Sequence, residues 1–222
     1  MSIIYCHNHT DGGSNTRLTD CIVKVDKLIE KAIELNSSMH IQAIQKVKKL
    51  REEKKIDDNW KLILGNEIYL VDDKYCLKEN YISGETKFYH FILLAKDKEG
   101  HKQIRELSSI AWDNLYSTGQ MERVPIGKSD LERVIKGNHI IGSTACLGGE
   151  YSQLILKLIE LEQSNNMKQI EEIKWQIDSF IQWCISVFGK DYFFIEIQPS
   201  NMVEQIEFNK KIIFTKYRNT NC

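Results

Sequence analysis

"FYHFILLA", residues 88–95, is the stretch on which the fold turns. It is too short for a typical helix and too continuously apolar for a strand with one wet face. Such a run reads as a strand buried on both faces, the kind found in parallel sheets flanked by helices. Its neighbours support that reading. Upstream, "KLILGNEIYLV", residues 61–71, predicts a strand interrupted or ended near Gly65. Downstream, residues 97–116 predict a helix, "HIIGSTA", residues 139–145, a second buried strand, and "YFFIEIQ", residues 192–198, a further strand. Asp20 to Leu35 carries apolar residues at helical spacing (Ile22, Val25, Leu28, Ile29, Ala32, Ile33), with Thr19 or Asp20 able to cap its start. His40 to Lys55 repeats the pattern. "SDLERVI" offers a capping box of Ser129 with Glu132. Residues 150–188 predict one or two helices around a polar break at Ser164-Asn165-Asn166, and residues 201–214 a last one. Strands alternating with helices imply an α/β fold with a parallel sheet or barrel, whose chemistry gathers where strands end.

The chain has 222 residues and is read as one domain with a sizeable core. Its formal net charge of -1 gives no general attraction to nucleic acid, so any DNA contact has to be local, or mediated by a bound metal or another chain. There is no apolar run of membrane-spanning length and no basic-then-apolar start of a signal peptide. The expectation is therefore a cytoplasmic protein with no membrane partner. The six cysteines, none in a C-x-x-C pair, are expected to be reduced thiols.

Residues that ligate metals stand out against this apolar frame. "YCHNHTDGG", residues 5–13, places His7 and His9 one residue apart. On a strand they project from one face, and two convergent imidazoles suit a divalent ion. Glu67 follows the strand glycine in "GNEIYL". His90 interrupts the otherwise apolar "FYHFILLA", and Cys146 follows "IIGSTA" directly. His, His, Glu, His and Cys on four successive strands are donor types for transition metals, and a carboxylate can bridge two ions. Each alone has a plainer reading as a surface or core residue.

The stretches "YCHNHTDGG", "RLTDCIVKVDKLIEKA", "WKLILGNEIYLVDD", "FYHFILLAKDKEGHKQIRELSSIAW", "STACLGGE" and "FFIEIQPS" resemble the PHP (polymerase and histidinol phosphatase) domain at the start of bacterial and phage DNA polymerase III alpha subunits. The resemblance runs across nearly the whole chain. It implies an α/β fold, an incomplete and distorted parallel β/α barrel of the PHP type. It implies a site for zinc or manganese ions, held at the matching positions by His7, His9, Glu67, His90 and Cys146. Asp20 matches a further acidic ligand across a one-residue gap and reads equally well as a helix cap. The resemblance also implies metal-dependent phosphoester hydrolysis, including 3′-to-5′ trimming of DNA ends, with DNA 3′ ends or other replisome subunits as partners.

Two departures qualify that picture. The family's first helix is followed by a strand ending in a Thr-Asp-His motif. Here "KAIELNSSMHIQAIQKVKKL" runs almost directly into the next helix, which predicts a deletion: residues 36–40 a short turn, no strand, and His40 part of the second helix. At the other end, "FTKYRNTNC" lacks the family's Asp-x-His pair, and no polymerase region is present. Activity is expected to be impaired. The alternatives are a non-catalytic remnant or scaffold module and, ranked last, a histidinol-phosphatase-like enzyme for small phosphoesters.

Overall fold

The computed structural model describes residues 8–9, 33–34, 37–57, 62–119, 121–164 and 166–219, with side chains from 44 to 213 of these. A seven-stranded sheet runs through it. Along the sheet lie β1 (Asn8–His9), β2 (Ile33–Glu34), β3 (Leu64–Val71), β4 (Tyr89–Ala95), β8 (Ile140–Ser143) and β9 (Phe193–Phe194). Strand β7 (Pro125–Gly127) adds to β3 on the edge that β2 occupies further back. A separate hairpin pairs β5 (Tyr116–Thr118) with β6 (Met121–Arg123). The helices are α1 (Ser37–Glu52), α2 (Lys98–Asp113), α3 (Lys128–Val134), α4 (Glu150–Gln163), α5 (Met167–Phe188) and α6 (Val203–Asn219). The sheet is rich in parallel pairs and does not close into a barrel among the described residues.

Strand β4 is buried from Phe91 to Leu94, in keeping with its composition, yet it runs antiparallel to both β3 and β8. This corrects the parallel reading. The link from β3 to β4, residues 72–88, contains two 3-10 turns and no crossover helix, so the chain doubles back beside the strand it has just left. The continuous apolar run reflects cover on both faces, which a central antiparallel strand can have as well as a parallel one. Gly65 neither ends nor interrupts β3. It is the second residue of the strand and pairs with Leu94.

Two local readings are also corrected: Ile33–Glu34 is extended rather than helical, and Ser37 to His40 is helix rather than turn. Ile33–Glu34 forms a strand, parallel to β1 on one side and β3 on the other. The helical pattern read through Leu35 therefore fails at its last turn. Two residues are too few to show a strand period, and the tertiary pairing overrides the local pattern. Leu35-Asn36-Ser37 follow this strand in the sequence. His40 lies in α1, which starts at Ser37.

Helices cover one face of the sheet. Ile68 and Leu70 of β3, Phe91 and Leu93 of β4 and Ile140 of β8 pack in one core. Against them lie Ile104 and Leu107 of α2, Leu131 of α3, Ile155 of α4, Phe208 of α6, and the stripe Ile170, Ile173, Ile177, Phe180, Cys184 and Phe188 of α5. That stripe recurs every three or four residues, as a helix facing a core requires. The alternate residues of β4, Ile92 and Leu94, join Ala145 in a much smaller cluster on the other face.

Local caps follow ordinary rules, with one correction. Asp97 caps α2 by accepting the Gly100 N–H at 3.0 Å. At α3, Ser129 is not the cap. Gly127 precedes the helix and its N–H donates to Asp130 Oδ2, while the Ser129 N–H donates to Asp73 Oδ1 at 2.9 Å. Glu132 instead accepts from Trp183 Nε1 at 2.8 Å.

Candidate metal site

Strand register builds the site. Glu67 is opposite Ile92 and Tyr69 is opposite His90. Residues two apart on a strand share a face, so all four stand together on the face away from the helices. Glu67 and His90 are diagonal neighbours in this arrangement, within reach of long side chains. His90 Nδ1 lies 2.8 Å from Glu67 Oε1. The Tyr69 ring meets the His90 ring edge-on, centroids 5.5 Å apart.

Cys146 arrives from the loop after β8. Ala145 sits in the left-handed region at φ 58° and is buried. That conformation costs an L-residue about 1–2 kcal/mol and reverses the chain just before the thiol. Cys146 Sγ then lies 3.4 Å from His90 Nδ1. The Gly148 N–H donates to Cys146 Sγ at 3.3 Å, and the His90 backbone N–H donates to the Gly148 carbonyl at 3.1 Å. The loop thus lies directly on β4. A Cβ on Gly148 would stand 3.3 Å from the His90 ring, and one on Gly149 would run into the Thr144 carbonyl. Both glycines answer a close approach of backbone to strand.

The contacts set the charge state of the metal-free site. Hydrogen bonds that the ring donates to Cys146, and then to Glu67, push His90 up to about 10 against partial burial. Burial pushes the Cys146 thiol up, but His90 and the Gly148 N–H pull harder, and it settles below its ordinary value. An anion-favouring thiol and a carboxylate therefore share one imidazole proton. The ligand atoms of Glu67, His90 and Cys146 all lie within 4.8 Å of one another. Thiolate, imidazole and carboxylate are the donor types of zinc sites, and a divalent cation can take the place of that proton. The donor set fits a divalent ion.

Of the six sequence candidates, the structure brings these three together. His9 has its backbone in β1, in a register row with Glu34 and Gly65. The side chain of His9, together with His7 and Asp20, lies outside the described residues.

The model of the PHP domain matches residues 6–200 of this chain. The chain belongs to the PHP domain family. This PHP domain is 45% identical over 224 residues to the "Probable DNA polymerase YorL" of Bacillus subtilis (strain 168), and equally to the "DNA-directed DNA polymerase" of Bacillus phage SPbeta. It is 31% identical over 215 residues to the "DNA polymerase III subunit alpha" of Borreliella burgdorferi. Each alignment covers 95% of this chain but only 16–17% of the relative, so the chain spans about a sixth of the proteins it matches. It is homologous to the PHP region of DNA polymerase III alpha subunits. No helix among the described residues is long and apolar enough to cross a membrane.

A further carboxylate, this one buried, flanks the same face and was passed over in the sequence. Ser143, opposite Ile92, donates to Glu196 Oε2 at 3.1 Å, and Gln198 Nε2 donates to Oε1 at 2.6 Å. Glu196 interrupts the apolar run "YFFIEIQ" just as His90 interrupts its own, and that is the signal that could have found it.

Proposed function

We propose that this PHP domain is a divalent-metal module of a replicative-type DNA polymerase, with a site of the phosphoester-hydrolysing kind and weak trimming of DNA 3′ ends. The convergence of Glu67, His90 and Cys146 carries this reading. His7, His9 and Asp20 are proposed to complete the ligand set from the first strand and the segment after it. In this reading the open sheet is part of an incomplete PHP-type barrel that forms a single domain. Zinc or manganese is the proposed ion, and DNA 3′ ends or other replisome subunits the proposed partners.

A bound divalent ion supplies an activated water and neutralises the leaving oxygen of a phosphodiester. The protein's part is to present its donors on a rigid sheet face. Tyr69 buttresses His90 from one side, and the Gly148 carbonyl fixes its backbone from beneath. Weak turnover is proposed because Leu35-Asn36-Ser37 replace the Asp-His pair after β2. Paired ions need a full ligand set to sit about 3.5–4 Å apart.

The same substitution favours a second reading, in which the module binds metal for structure and serves as a scaffold. Elemental analysis of the purified chain, together with nucleotide release from a labelled primer in manganese or zinc, separates the two. Slow release abolished by His9→Ala and Glu67→Ala supports the first reading. Bound metal with no release supports the scaffold, and absence of bound metal overturns both.

A further inference from the structure

Arg123 is the last residue of the β5–β6 hairpin, two residues before Pro125, which pairs with Tyr69 of β3. That pairing brings the arginine to Tyr69, the residue that abuts His90. Its Cζ sits 5.0 Å from the centre of the Tyr69 ring and 4.9 Å from that of Phe88. Tyr69 in turn abuts His90. The guanidinium is thus two ring contacts from a ligand-type imidazole, on the same face of the sheet.

Its partners do not account for its charge. Among the described residues no carboxylate lies within ion-pair distance of Arg123, and its one side-chain hydrogen bond runs from Nη2 to the Met121 sulfur at 3.5 Å. Nε is buried without a partner. That atom is closed to solvent, so an incoming anion would meet the guanidinium through its two Nη groups. Stacking on two rings holds the planar fork in place, which suits bidentate capture of an anion. In a chain of net charge -1, a local cation of this kind is the electrostatics a polyanion would meet near the ligands.

We propose that Arg123 is a substrate-positioning residue that binds a phosphodiester of single-stranded nucleic acid next to the phosphate at the metal site. The proposal rests on the phosphoester reading above. An aromatic cluster of Tyr69, Phe88, Tyr81 and Tyr116 underlies the arginine. Charge seated on aromatic rings is how single-strand grooves track a backbone without reading sequence.

The test uses the full chain and a short fluorescent single-stranded oligodeoxynucleotide, with anisotropy read at several salt concentrations in manganese. Arg123→Met keeps an unbranched stem over the rings and removes the charge, and Arg123→Lys keeps the charge alone. Arg123→Met is expected to weaken binding on the order of ten- to a hundredfold, equally for different sequences. It is also expected to reduce the slope of log affinity against log salt by about 0.7 to 1. Arg123→Lys is expected to restore the slope with part of the affinity. Native chain that does not bind the oligonucleotide, unchanged affinity in Arg123→Met, or weaker binding with an unchanged slope each overturns the proposal. Thermal melting followed by circular dichroism checks that the variants fold, and if Arg123→Met does not, the slope retained by Arg123→Lys decides. Elemental analysis of the same samples keeps the two readings apart. Bound metal with Arg123-independent DNA affinity refutes only the arginine's role. Arg123-dependent affinity without metal supports the contact and refutes the phosphoester site.

Discussion

His90 stands diagonally across the β3–β4 pair from Glu67, with Nδ1 2.8 Å from Oε1, on the face of the sheet away from the helices. Removing either group takes a donor from the cluster and leaves the helical core untouched. Glu67→Ala and His90→Ala are each expected to lower divalent-metal affinity by at least about 100-fold. Competition with a chromogenic chelator measures this, and unchanged affinity in either variant would remove that residue from the ligand set.

Cys146→Ser distinguishes the ions. Thiolate favours zinc far more than manganese, whereas a hydroxyl favours neither. The substitution should cost zinc affinity at least about tenfold more than manganese affinity. Parallel titrations with the two ions give the ratio, and equal losses would place the thiol outside the coordination sphere.

The metal-free protein should be pH-sensitive because of His90. Its folded value, about 10, lies above the ordinary imidazole value of 6.5. The folded state thus holds a proton that the unfolded chain releases. This contribution is fully present below pH 6.5 and is lost as pH rises through 10. Melting temperature should fall across that window in chelator-treated protein, and the fall should flatten in His90→Gln. Metal affinity should rise over the same range, because binding displaces the proton.

Two substitutions report on packing rather than on metal. Gly149→Ala drives a methyl into the Thr144 carbonyl and should cost about 1–3 kcal/mol. Leu93→Ala empties a fully buried position in β4 and should cost about 2–5 kcal/mol. Urea unfolding of each variant checks both figures, and a loss below about 0.5 kcal/mol in either would contradict the packing described.

The residues of this chain differ in how openly they declare themselves. Ile170 to Phe188 announces a helix because its apolar stripe spans many turns, and β4 announces a strand because both faces are covered. Glu67, His90 and Cys146 are conspicuous because each is a ligand type set in or beside an apolar run. The direction of β4 is silent, since periodicity carries no sense of chain polarity and the turn at residues 72–88 sets it. Ile33–Glu34 is silent too, because two residues inside a helical pattern reveal a strand only through their partners on β1 and β3. Arg123 lay in a hairpin with no period, and only the Pro125–Tyr69 pairing brings it to the site.

The division of labour between the two faces of the sheet has an evolutionary consequence. Nearly all the large apolar side chains that hold β3, β4 and β8 to their helices belong to one face, while Glu67, His90 and the Cys146 loop occupy the other. Substitutions on the ligand face need not pass through the packing that keeps the chain folded. Selection can therefore change the donors one at a time and still inherit an intact domain. Such a lineage drifts from catalyst to platform by steps that each leave a viable protein.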